Sequence, residues 1–424
     1  MDGDRVISDQ TVVVDGGKII SIEDSARAPV PDGVTRIDAS GHYLIPGLSD
    51  MHIHLEGDAW NVLFPPEAQF SSDALDWGDL LFPYVANGVT TVQVMSALPE
   101  HVDVRRQVAD GEILGPRLLL ARLIDGPEKA WPPPLSTWVG SPEEARQAVL
   151  DAGQTGYDSV KVYSFLDPES YETIVATARE VGLGVIGHIP LELSLEEVLA
   201  AGQDLIAHME EVKPREEADF SREHIDRVAQ LIAASDTWVT PTLTTSRHIM
   251  AVLDDFDREL ARPEARYLQP MALSVWSFIN EYLYQPIPDE HRKVIERNFE
   301  DFQRPLTLAL HRAGGKMMTG TDALIPSNVP GFGIHDELAE LVGVGISPYE
   351  ALRMSTTLPH EFLGELDLGG TVEVGKRADL VLLEANPLDD IANTRAIRGV
   401  VIGGRWLSED DIRQGLDGLL ESSQ

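Results

Sequence analysis

Two histidines separated by one residue are the first feature of this 424-residue sequence that could do chemistry. His52 and His54 follow an apolar run, Leu44 to Met51, which predicts a β-strand. Because side chains i and i+2 of a strand project from the same face, we expect both imidazoles to converge on one point. Imidazole is a common ligand of divalent metals, so the pair indicates a metal site. For either histidine taken alone, ordinary polar packing is the alternative.

Three further candidate ligands follow short apolar runs later in the chain. His188 ends the run GVIGH, His208 ends LIAH, and Asp322 follows KMMTGT. The carboxyl ends of the strands of a parallel barrel meet at one rim, where barrel active sites are built. Each residue alone could be structural, but five such residues at four predicted strand ends are difficult to explain as packing.

Lys161 lies at the equivalent end of another predicted strand, in SVKVYSF, among apolar and aromatic neighbours. Burial lowers the pKa of a lysine, which makes the neutral amine available to react with CO₂. The resulting carbamate is a bidentate anion that can bridge two cations. The alternative is a lysine that reaches the rim or pairs with a carboxylate.

Short β-branched runs that alternate with helical patterns would position these residues, and this alternation predicts a parallel sheet with crossover helices. The eight predicted strands are Leu44–His52, Val89–Val94, Arg117–Ile124, Ser159–Tyr163, Gly184–His188, Leu205–His208, Trp238–Leu243 and Lys316–Gly320. The predicted helices between them include Tyr171–Val181, Leu195–Ala201, Ile225–Ala234 and Pro305–Ala313. We therefore expect an α/β fold, a (β/α)₈ TIM barrel.

Both ends of the chain carry strand-and-turn patterns, at residues 11–40 and 369–408, which predict one small β-sandwich. The predicted domains are a composite sandwich of residues 1–46 and 367–424 and a barrel of residues 47–366. A hairpin is expected around Asp15-Gly16-Gly17. Because no strand pattern precedes this hairpin, we expect the reading frame to start further upstream, which leaves a signal sequence open.

The charge, the apolar content and the lack of cysteine disfavour or exclude several kinds of partner and metal ligand. The net charge is −37, from 70 acidic and 33 basic residues, which disfavours nucleic acid and anionic membranes as partners. No run of about 20 apolar residues indicates a membrane span, and we expect a soluble, cytoplasmic protein. There are no cysteines, so any metal must be held by nitrogen and oxygen.

Two segments are candidates for the rim of the site. Residues 250–303 are longer than a crossover requires and are rich in aromatic and charged residues, and Trp131–Trp138 (WPPPLSTW) follows the third predicted strand. Long loops at the catalytic end of a barrel often act as lids or substrate walls. A surface hairpin of helices is the alternative for residues 250–303.

The sequence resembles the amidohydrolase superfamily, in the branch of imidazolonepropionase-like proteins, Xaa-Pro dipeptidases and ochratoxin-type amidohydrolases. The resemblance covers essentially the whole chain. Both the order of the candidate ligands along the sequence and the two terminal segments of the predicted sandwich fit the family pattern. It rests on the segments DGDRVISDQTVVVDGGKI, HYLIPGLSDMHIHL, NGVTTVQ, DSVKVYS, GHIP, TGTDA, GKRADLVLLEANPLDD and VVIGGRW.

This resemblance implies two divalent metal ions, with zinc as the default, and hydrolysis by a metal-bridging hydroxide. The implied ligands are His52, His54 and Asp322 for the inner metal, His188 and His208 for the outer metal, and carboxylated Lys161 for both. Asp322 would also take the proton of the attacking water and pass it to the leaving nitrogen. Relatives often form symmetric assemblies, so we expect a homo-oligomer.

Three residues are candidate substrate contacts. Tyr163 shares a strand face with Lys161, and His335, in FGIHDEL, matches a position where relatives often carry a histidine. Dipeptidases of this branch tend to carry a tyrosine soon after the fifth-strand histidine, whereas Ile189-Pro190 stands here, which weakens the dipeptidase interpretation. Arg247 is the alternative candidate for a substrate carboxylate.

The leading hypothesis is hydrolysis of an amide-type C–N bond in a small molecule: an N-acyl amino acid, a dipeptide such as Xaa-Pro, or a cyclic amide. Ester, carbamate or organophosphate hydrolysis could use the same site, because specificity lies in the rim loops. Mononuclear deaminases usually lack the bridging lysine, so Lys161 disfavours that class. A non-catalytic scaffold would be indicated by lost ligands, and all six are present.

Overall fold

The computed structural model describes residues 5–29, 33–66, 69, 76–127, 131–212 and 219–422. Its strands are β1 (Gln10–Asp15), β2 (Lys18–Asp24), β3 (Tyr43–Pro46), β4 (Leu48–Ile53), β5 (Val89–Val94), β6 (Arg117–Asp125), β7 (Thr137–Trp138), β8 (Ser159–Val162), β9 (Gly184–Gly187), β10 (Leu205–Ala207), β11 (Trp238–Thr240), β12 (Leu380–Leu383), β13 (Ile397–Ile402) and β14 (Arg405–Ser408). Most of them belong to one parallel sheet.

Helices follow the strands of this sheet in the expected alternation. They are α1 (Trp77–Ala86), α2 (Glu100–Ala109), α3 (Pro142–Thr155), α4 (Pro168–Val181), α5 (Leu195–Ala201), α6 (Arg222–Ala233), α7 (Leu243–Asp254), α8 (Phe256–Leu260), α9 (Pro270–Ile279), α10 (Asp289–Asn298), α11 (Arg304–Arg312), α12 (Gly333–Gly343), α13 (Pro348–Ser355), α14 (Thr357–Phe362) and α15 (Glu409–Ser422). Among the described residues, no helix is both long enough and apolar enough to cross a bilayer.

Local sequence explains where the crossover helices begin and end. Helix α3 begins after Ser141, whose hydroxyl accepts a hydrogen bond from the backbone of Glu144, and ends at Gly156 in the left-handed conformation. Helix α5 begins with a capping box between Ser194 and Glu197. All four helices predicted from periodicity are present, with boundaries that differ by at most three residues.

The central sheet is a nearly closed barrel of parallel strands. Its order is β11-β10-β9-β8-β6-β5-β4, and the short β7 pairs with β6. Seven of the eight predicted barrel strands are therefore present as regular strands. Their apolar side chains form the main core together with the surrounding helices.

The eighth predicted strand, Lys316–Gly320, is corrected, because it is not a regular strand in the structure. Met317 of this segment forms an isolated parallel bridge with Val239 of β11. Ala323, three residues after the segment, forms another with Ile53 of β4. The ladder is interrupted because the N–H of Thr319 donates to the carbonyl of Met354 in α13 rather than to a strand. The segment nonetheless occupies the gap between β11 and β4.

The first predicted strand, Leu44–His52, is also corrected, because it is two strands in two sheets. Strand β3 pairs with β12 in a four-stranded antiparallel sheet of order β14-β13-β12-β3, whereas β4 lies in the barrel. Gly47 joins them where the chain passes close to Thr90. A Cβ at Gly47 would lie 2.2 Å from Oγ1 of Thr90, so only glycine fits there.

The N-terminal hairpin contacts the C-terminal part of the chain. Strands β1 and β2 form the predicted hairpin, and its Ile19 exchanges backbone hydrogen bonds with Gly375 and Lys376. Ile19 also packs against Leu380 of the four-stranded sheet. The remainder of the predicted segment 11–40 contains no further strand where it is described, and residues 30–32 lie outside the described residues.

Residues 250–303 form a helical insertion at the rim of the barrel. Val275 and Ile279 of α9 pack against Trp60 and Leu135, which follow β4 and β6. The indole N–H of Trp276 donates to the carbonyl of Leu324, 2.8 Å away, two residues after Asp322. The insertion therefore contacts the segments that carry the candidate ligands.

Candidate active site

The carboxyl end of β4 places His52 and His54 on one side of the barrel mouth. Nε2 of each imidazole lies 3.1 Å from Oδ1 of Asp322. One ligand atom from each of these three residues can be chosen so that all lie within 4.8 Å of one another. The predicted convergence of the two histidines is therefore observed, and Asp322 completes the group.

Left-handed backbone conformations place two of the candidate ligands. The φ angle is 56° at Asp322 and 68° at His208, values that residues other than glycine rarely adopt. The N–H of Asp322 donates to the carbonyl of His52, 2.7 Å away. Such conformations cost free energy and concentrate at functional sites, so their presence at both residues supports a functional role.

Lys161 lies in β8 beside His52, and it is only 2% exposed. Its Nζ is 3.4 Å from Nε2 of His52. Burial lowers the pKa of Lys161 to about 8, although neighbouring carboxylates oppose the shift. Gly187 of β9 makes room for this side chain, because a Cβ there would lie 2.8 Å from Cγ of Lys161.

His188 and His208 complete the cluster from the ends of β9 and β10. Their ring centroids are 5.0 Å apart, and the ring of His208 is 4.5 Å from that of His52. Nδ1 of His208 lies 2.8 Å from the hydroxyl oxygen of Thr242. Nδ1 of His188 is 3.3 Å from a carboxylate oxygen of Glu211, and its Nε2 is buried without a hydrogen-bond partner among the described residues.

Burial and neighbouring charges shift the pKa values of His52 and His54 in opposite directions. Burial, followed by the nearby Lys161, lowers the pKa of His52 to about 3. Burial has the same tendency at His54, but the carboxylates of Glu56 and Asp322 outweigh it and raise its pKa to about 9. Burial would raise the pKa of Asp322, but His52 and His208 hold it well below its usual range. Asp322 is therefore a carboxylate near neutral pH.

The donor set fits divalent cations. Nitrogen atoms of His52 and His54 and an oxygen of Asp322 face one another, and imidazole and carboxylate are ligands that zinc accepts. The buried Nε2 of His188 has no protein partner where the chain is described, as expected for an atom reserved for another ligand. Lys161 adjoins both sets of histidines, because its Nζ is 3.4 Å from Nε2 of His52 and its charge helps to lower the pKa of His208.

Comparison with known proteins agrees with this geometry. The sequence profile of the amidohydrolase family matches residues 43–407, which include every candidate ligand. The chain belongs to the amidohydrolase family.

Relatives of this amidohydrolase span most of its length. It is 23% identical over 415 residues to the 5-methylthioadenosine/S-adenosylhomocysteine deaminase of Symbiobacterium thermophilum, covering 90% of this chain and 81% of that one. Among solved structures, a candidate prolidase from Bifidobacterium longum is 25% identical with a TM-score of 0.71, covering 97% and 93% of the two chains. A Xaa-Pro dipeptidase with methionine bound in its active site is 21% identical with a TM-score of 0.74, covering 96% and 97%.

These findings confirm the family inferred from the motifs. The protein is an enzyme, a hydrolase that acts on C–N bonds. Members of the family generally use metal ions, in agreement with the histidine and aspartate group. The number of metals, their identity and the carbamate on Lys161 stay predictions.

Sequence reasoning missed several residues that hold the candidate ligands of this amidohydrolase in place. Glu56 is only 2% exposed, and its carboxylate contacts both Nδ1 of His54 and the hydroxyl of Ser96. Asp50 is fully buried and binds Thr321. A signal for both acids was available, because they alternate with the two histidines along DMHIHLE, a spacing that would place all four side chains on one face of an extended segment.

The predicted substrate contacts lie in different surroundings. The ring of Tyr163 lies tilted against that of His188 with a centroid distance of 4.0 Å, so it adjoins the cluster. Nδ1 of His335 lies 3.0 Å from the hydroxyl oxygen of Thr394, next to a C-terminal segment. A role for either residue in binding substrate stays a prediction.

Arg247, suggested for a substrate carboxylate, is already paired. Its guanidinium donates to Glu340 at 2.8 Å and to Glu300 at 3.4 Å. It also stacks on the ring of Phe299 at 4.7 Å. Because these contacts satisfy its charge on the helical side of the barrel, we leave Arg247 out of the proposed site.

Proposed function

We propose that this amidohydrolase cleaves an amide-type C–N bond of a small molecule with the help of two divalent metal ions, most simply zinc. The observation that carries the proposal is the convergence of His52 and His54 on one oxygen of Asp322, at 3.1 Å from each. A lone pair of histidines could be structural. A buried carboxylate, two imidazoles and an adjacent buried lysine have little reason to meet unless they bind cations.

The proposed ligands fall into two sets. His52, His54 and Asp322 would hold one metal, and His188 and His208 the other. Lys161, with its lowered pKa, would react with CO₂ to give a carbamate and one proton, and this anion would join the two sets. When bound, the cations would lower the pKa of a water molecule and polarise a carbonyl.

Asp322 is the proposed general base and acid. Its carboxylate is ionised near neutral pH, so it can accept a proton from the attacking water. The oxygen of that water forms the new bond to the carbonyl carbon while the C–N bond breaks. Asp322 then returns the proton to the leaving nitrogen, so the products are a carboxylic acid and an amine.

The proposed substrates are the three classes expected from the sequence: N-acyl amino acids, dipeptides such as Xaa-Pro, and cyclic amides. The likeness to a candidate prolidase and to a Xaa-Pro dipeptidase supports the second class. Tyr163 adjoins His188, where it could contact the substrate beside the scissile bond.

Metal content per chain tests the proposal first. The protein should be purified without chelator or polyhistidine tag and measured by plasma mass spectrometry. We expect close to two equivalents of metal, together with hydrolysis of at least one amide of the three classes. About one equivalent would exclude the lysine-bridged pair, and none after reconstitution with zinc would refute the proposal.

Deamination is the second candidate, because the relative from Symbiobacterium thermophilum is named as a deaminase and spans 90% of this chain. Ammonia release from 5-methylthioadenosine separates the two functions. Lys161 favours amide hydrolysis, because mononuclear deaminases do not need a bridging anion.

We also propose a barrel of eight strands and a composite sandwich domain for this chain. We take residues 316–323 as the irregular eighth strand of a (β/α)₈ barrel, with residues 47–366 as the barrel and residues 1–46 and 367–424 as the sandwich. We also propose a homo-oligomer, which light scattering after size-exclusion chromatography would detect.

A further inference from the structure

A row of aromatic side chains begins at the candidate metal ligands. The ring of Tyr163 is 4.0 Å from that of His188. The indole Nε1 of Trp131 lies 3.5 Å from the hydroxyl of Tyr163, and Trp60 meets Trp131 edge-on with a centroid distance of 5.5 Å. These rings form a wall that leads outward from His188.

The row continues onto the helical insertion. Trp60 lies in the short 3₁₀ helix Gly57–Leu63, which leads directly into Phe64. The ring of Phe64 is 5.1 Å from that of Phe278 in α9, and Phe278 is 4.8 Å from Tyr282. We call the whole row, which runs through Tyr163, Trp131, Trp60, Phe64, Phe278 and Tyr282, the aromatic wall.

The outer end of the aromatic wall opens into a groove of about 550 Å³ between the segment after β4 and helix α9. Its apolar lining includes Leu63, Phe64, Leu273, Phe278 and Tyr282. Tyr282 is 59% exposed, so its ring is accessible to a ligand in the groove. The volume falls within the range of small-molecule sites.

One hydrogen bond shows that the insertion contacts the segment that carries Asp322. The indole N–H of Trp276 in α9 donates to the carbonyl of Leu324, two residues after Asp322. The insertion that carries the outer end of the aromatic wall therefore lies at the same end of the barrel as the candidate ligands.

We propose that the groove binds an aromatic or similarly bulky apolar group of the substrate, on one side of the scissile bond. This inference deepens the proposed function and rests on it. Stacking and burial would supply the binding free energy. Glu281 is a charged lining residue, so an anionic group in the groove would be disfavoured relative to a neutral one.

Matched substrates test the proposal on each side of the bond. One pair is phenylalanyl-proline and alanyl-proline, and the other is N-acetylphenylalanine and N-acetylalanine. We expect the aromatic member of at least one pair to have a kcat/KM about tenfold higher or more, as for other buried rings. Equal kcat/KM values within both pairs would overturn the proposal.

Substitutions in the groove test whether it is the source of the preference for aromatic substrates. Phe278→Ala and Tyr282→Ala should each reduce the preference for the aromatic substrate by about fivefold or more, while hydrolysis of the alanine substrate changes less than twofold. Val294→Ala is the control, because Val294 is 60% exposed on α10 and does not line the groove. An aromatic preference that survives both substitutions would refute the groove as its source.

A binding measurement separates failure of this inference from failure of the proposed function. Calorimetric titration with 4-phenyl-1-butanol and 1-butanol needs no turnover and no charged group. We expect about tenfold tighter binding of the aromatic alcohol, lost in Phe278→Ala and kept in Val294→Ala. If this holds while no amide is hydrolysed, the groove stands and the proposed reaction fails; equal binding of both alcohols would overturn the groove.

Discussion

Both carboxylate oxygens of Asp50 hold Thr321, the residue before Asp322. Oδ1 accepts a hydrogen bond from the backbone N–H of Thr321 at 2.9 Å, and Oδ2 accepts one from its hydroxyl at 2.6 Å. Asp50 lies two residues before His52 on the same face of β4. Strand β4 and the segment that carries Asp322 are therefore fixed to each other below the candidate metal site, where the barrel lacks a regular eighth strand.

Thr321→Val should disturb the position of Asp322 without altering the ligands. The substitution keeps the shape of the side chain but leaves Oδ2 of Asp50 without its donor, which costs about 1–3 kcal/mol for a buried group. We expect kcat to fall about tenfold with KM within twofold, because a proton-transfer group is misplaced. Steady-state kinetics and thermal denaturation would measure both effects.

Thr307→Val is the matched control for this substitution. Thr307 is fully buried in α11, and its hydroxyl donates to the carbonyl of Gln303 within the same helical region. It should lose stability and leave kcat unchanged. If both variants reduced kcat equally, the effect of Thr321→Val would be a general loss of stability.

Glu56→Gln should weaken metal binding. The buried carboxylate of Glu56 contacts Nδ1 of His54, which leaves Nε2 of the same ring facing Asp322. Carboxylates behind a ligating histidine fix its orientation and increase its basicity, and their loss typically reduces metal affinity 10- to 100-fold. Metal retained after dialysis against graded chelator concentrations would measure the change.

Glu143→Gln provides the comparison for Glu56→Gln, because Glu143 is exposed in the first turn of α3. Its metal retention should match that of the wild type. Unchanged retention in Glu56→Gln would show that His54 needs no such support, or that it is not a ligand.

The sequence was sufficient to place the candidate ligands at strand ends, because strand periodicity and order decide which side chains share a face. The bounds of the strands could not be predicted where contacts between distant residues decide which backbone groups pair. The bond from Thr319 to Met354 interrupts the eighth strand, and no local pattern records it. Gly47 divides one apolar run between two sheets for a similar reason, its approach to Thr90.

The surroundings of the site were less predictable than the ligands. Arg247 was a candidate substrate contact because sequence gives the presence of a guanidinium but not its neighbours, here Glu340 and Glu300. Residues 250–303 were recognised as a rim segment from their length and aromatic content. That Phe278 would meet Phe64 could not be inferred, because it depends on how helix α9 packs.

Lys161→Ala should abolish nearly all hydrolysis and reduce metal content. A short carboxylic acid such as propionate should restore part of both, because it can occupy the space of the proposed carbamate. Wild-type enzyme should gain nothing from the acid, which serves as the control. Carbon NMR of wild-type protein in isotopically labelled bicarbonate should show a carbamate signal that Lys161→Ala lacks; full activity in Lys161→Ala would refute the bridge.

Glu337 should make stability depend on pH. This side chain of α12 is fully buried, and one oxygen accepts a hydrogen bond from the N–H of Thr244 at 2.8 Å. Burial raises the pKa of Glu337 to about 8, from an ordinary value of 4.5. The folded state therefore keeps the proton while the unfolded state loses it, so stability from this group is full below pH 4.5 and declines as the pH rises towards 8.

Glu337→Gln tests this dependence, because an amide mimics the protonated acid and does not titrate. The Tm of the variant minus that of the wild type should increase between pH 5 and pH 8, by roughly 5 °C. Differential scanning fluorimetry at several pH values would measure it. Glu172→Gln, an exposed substitution on α4, is the matched control. A difference for Glu337→Gln that does not change with pH would mean that the folded enzyme ionises Glu337 as readily as the unfolded chain does.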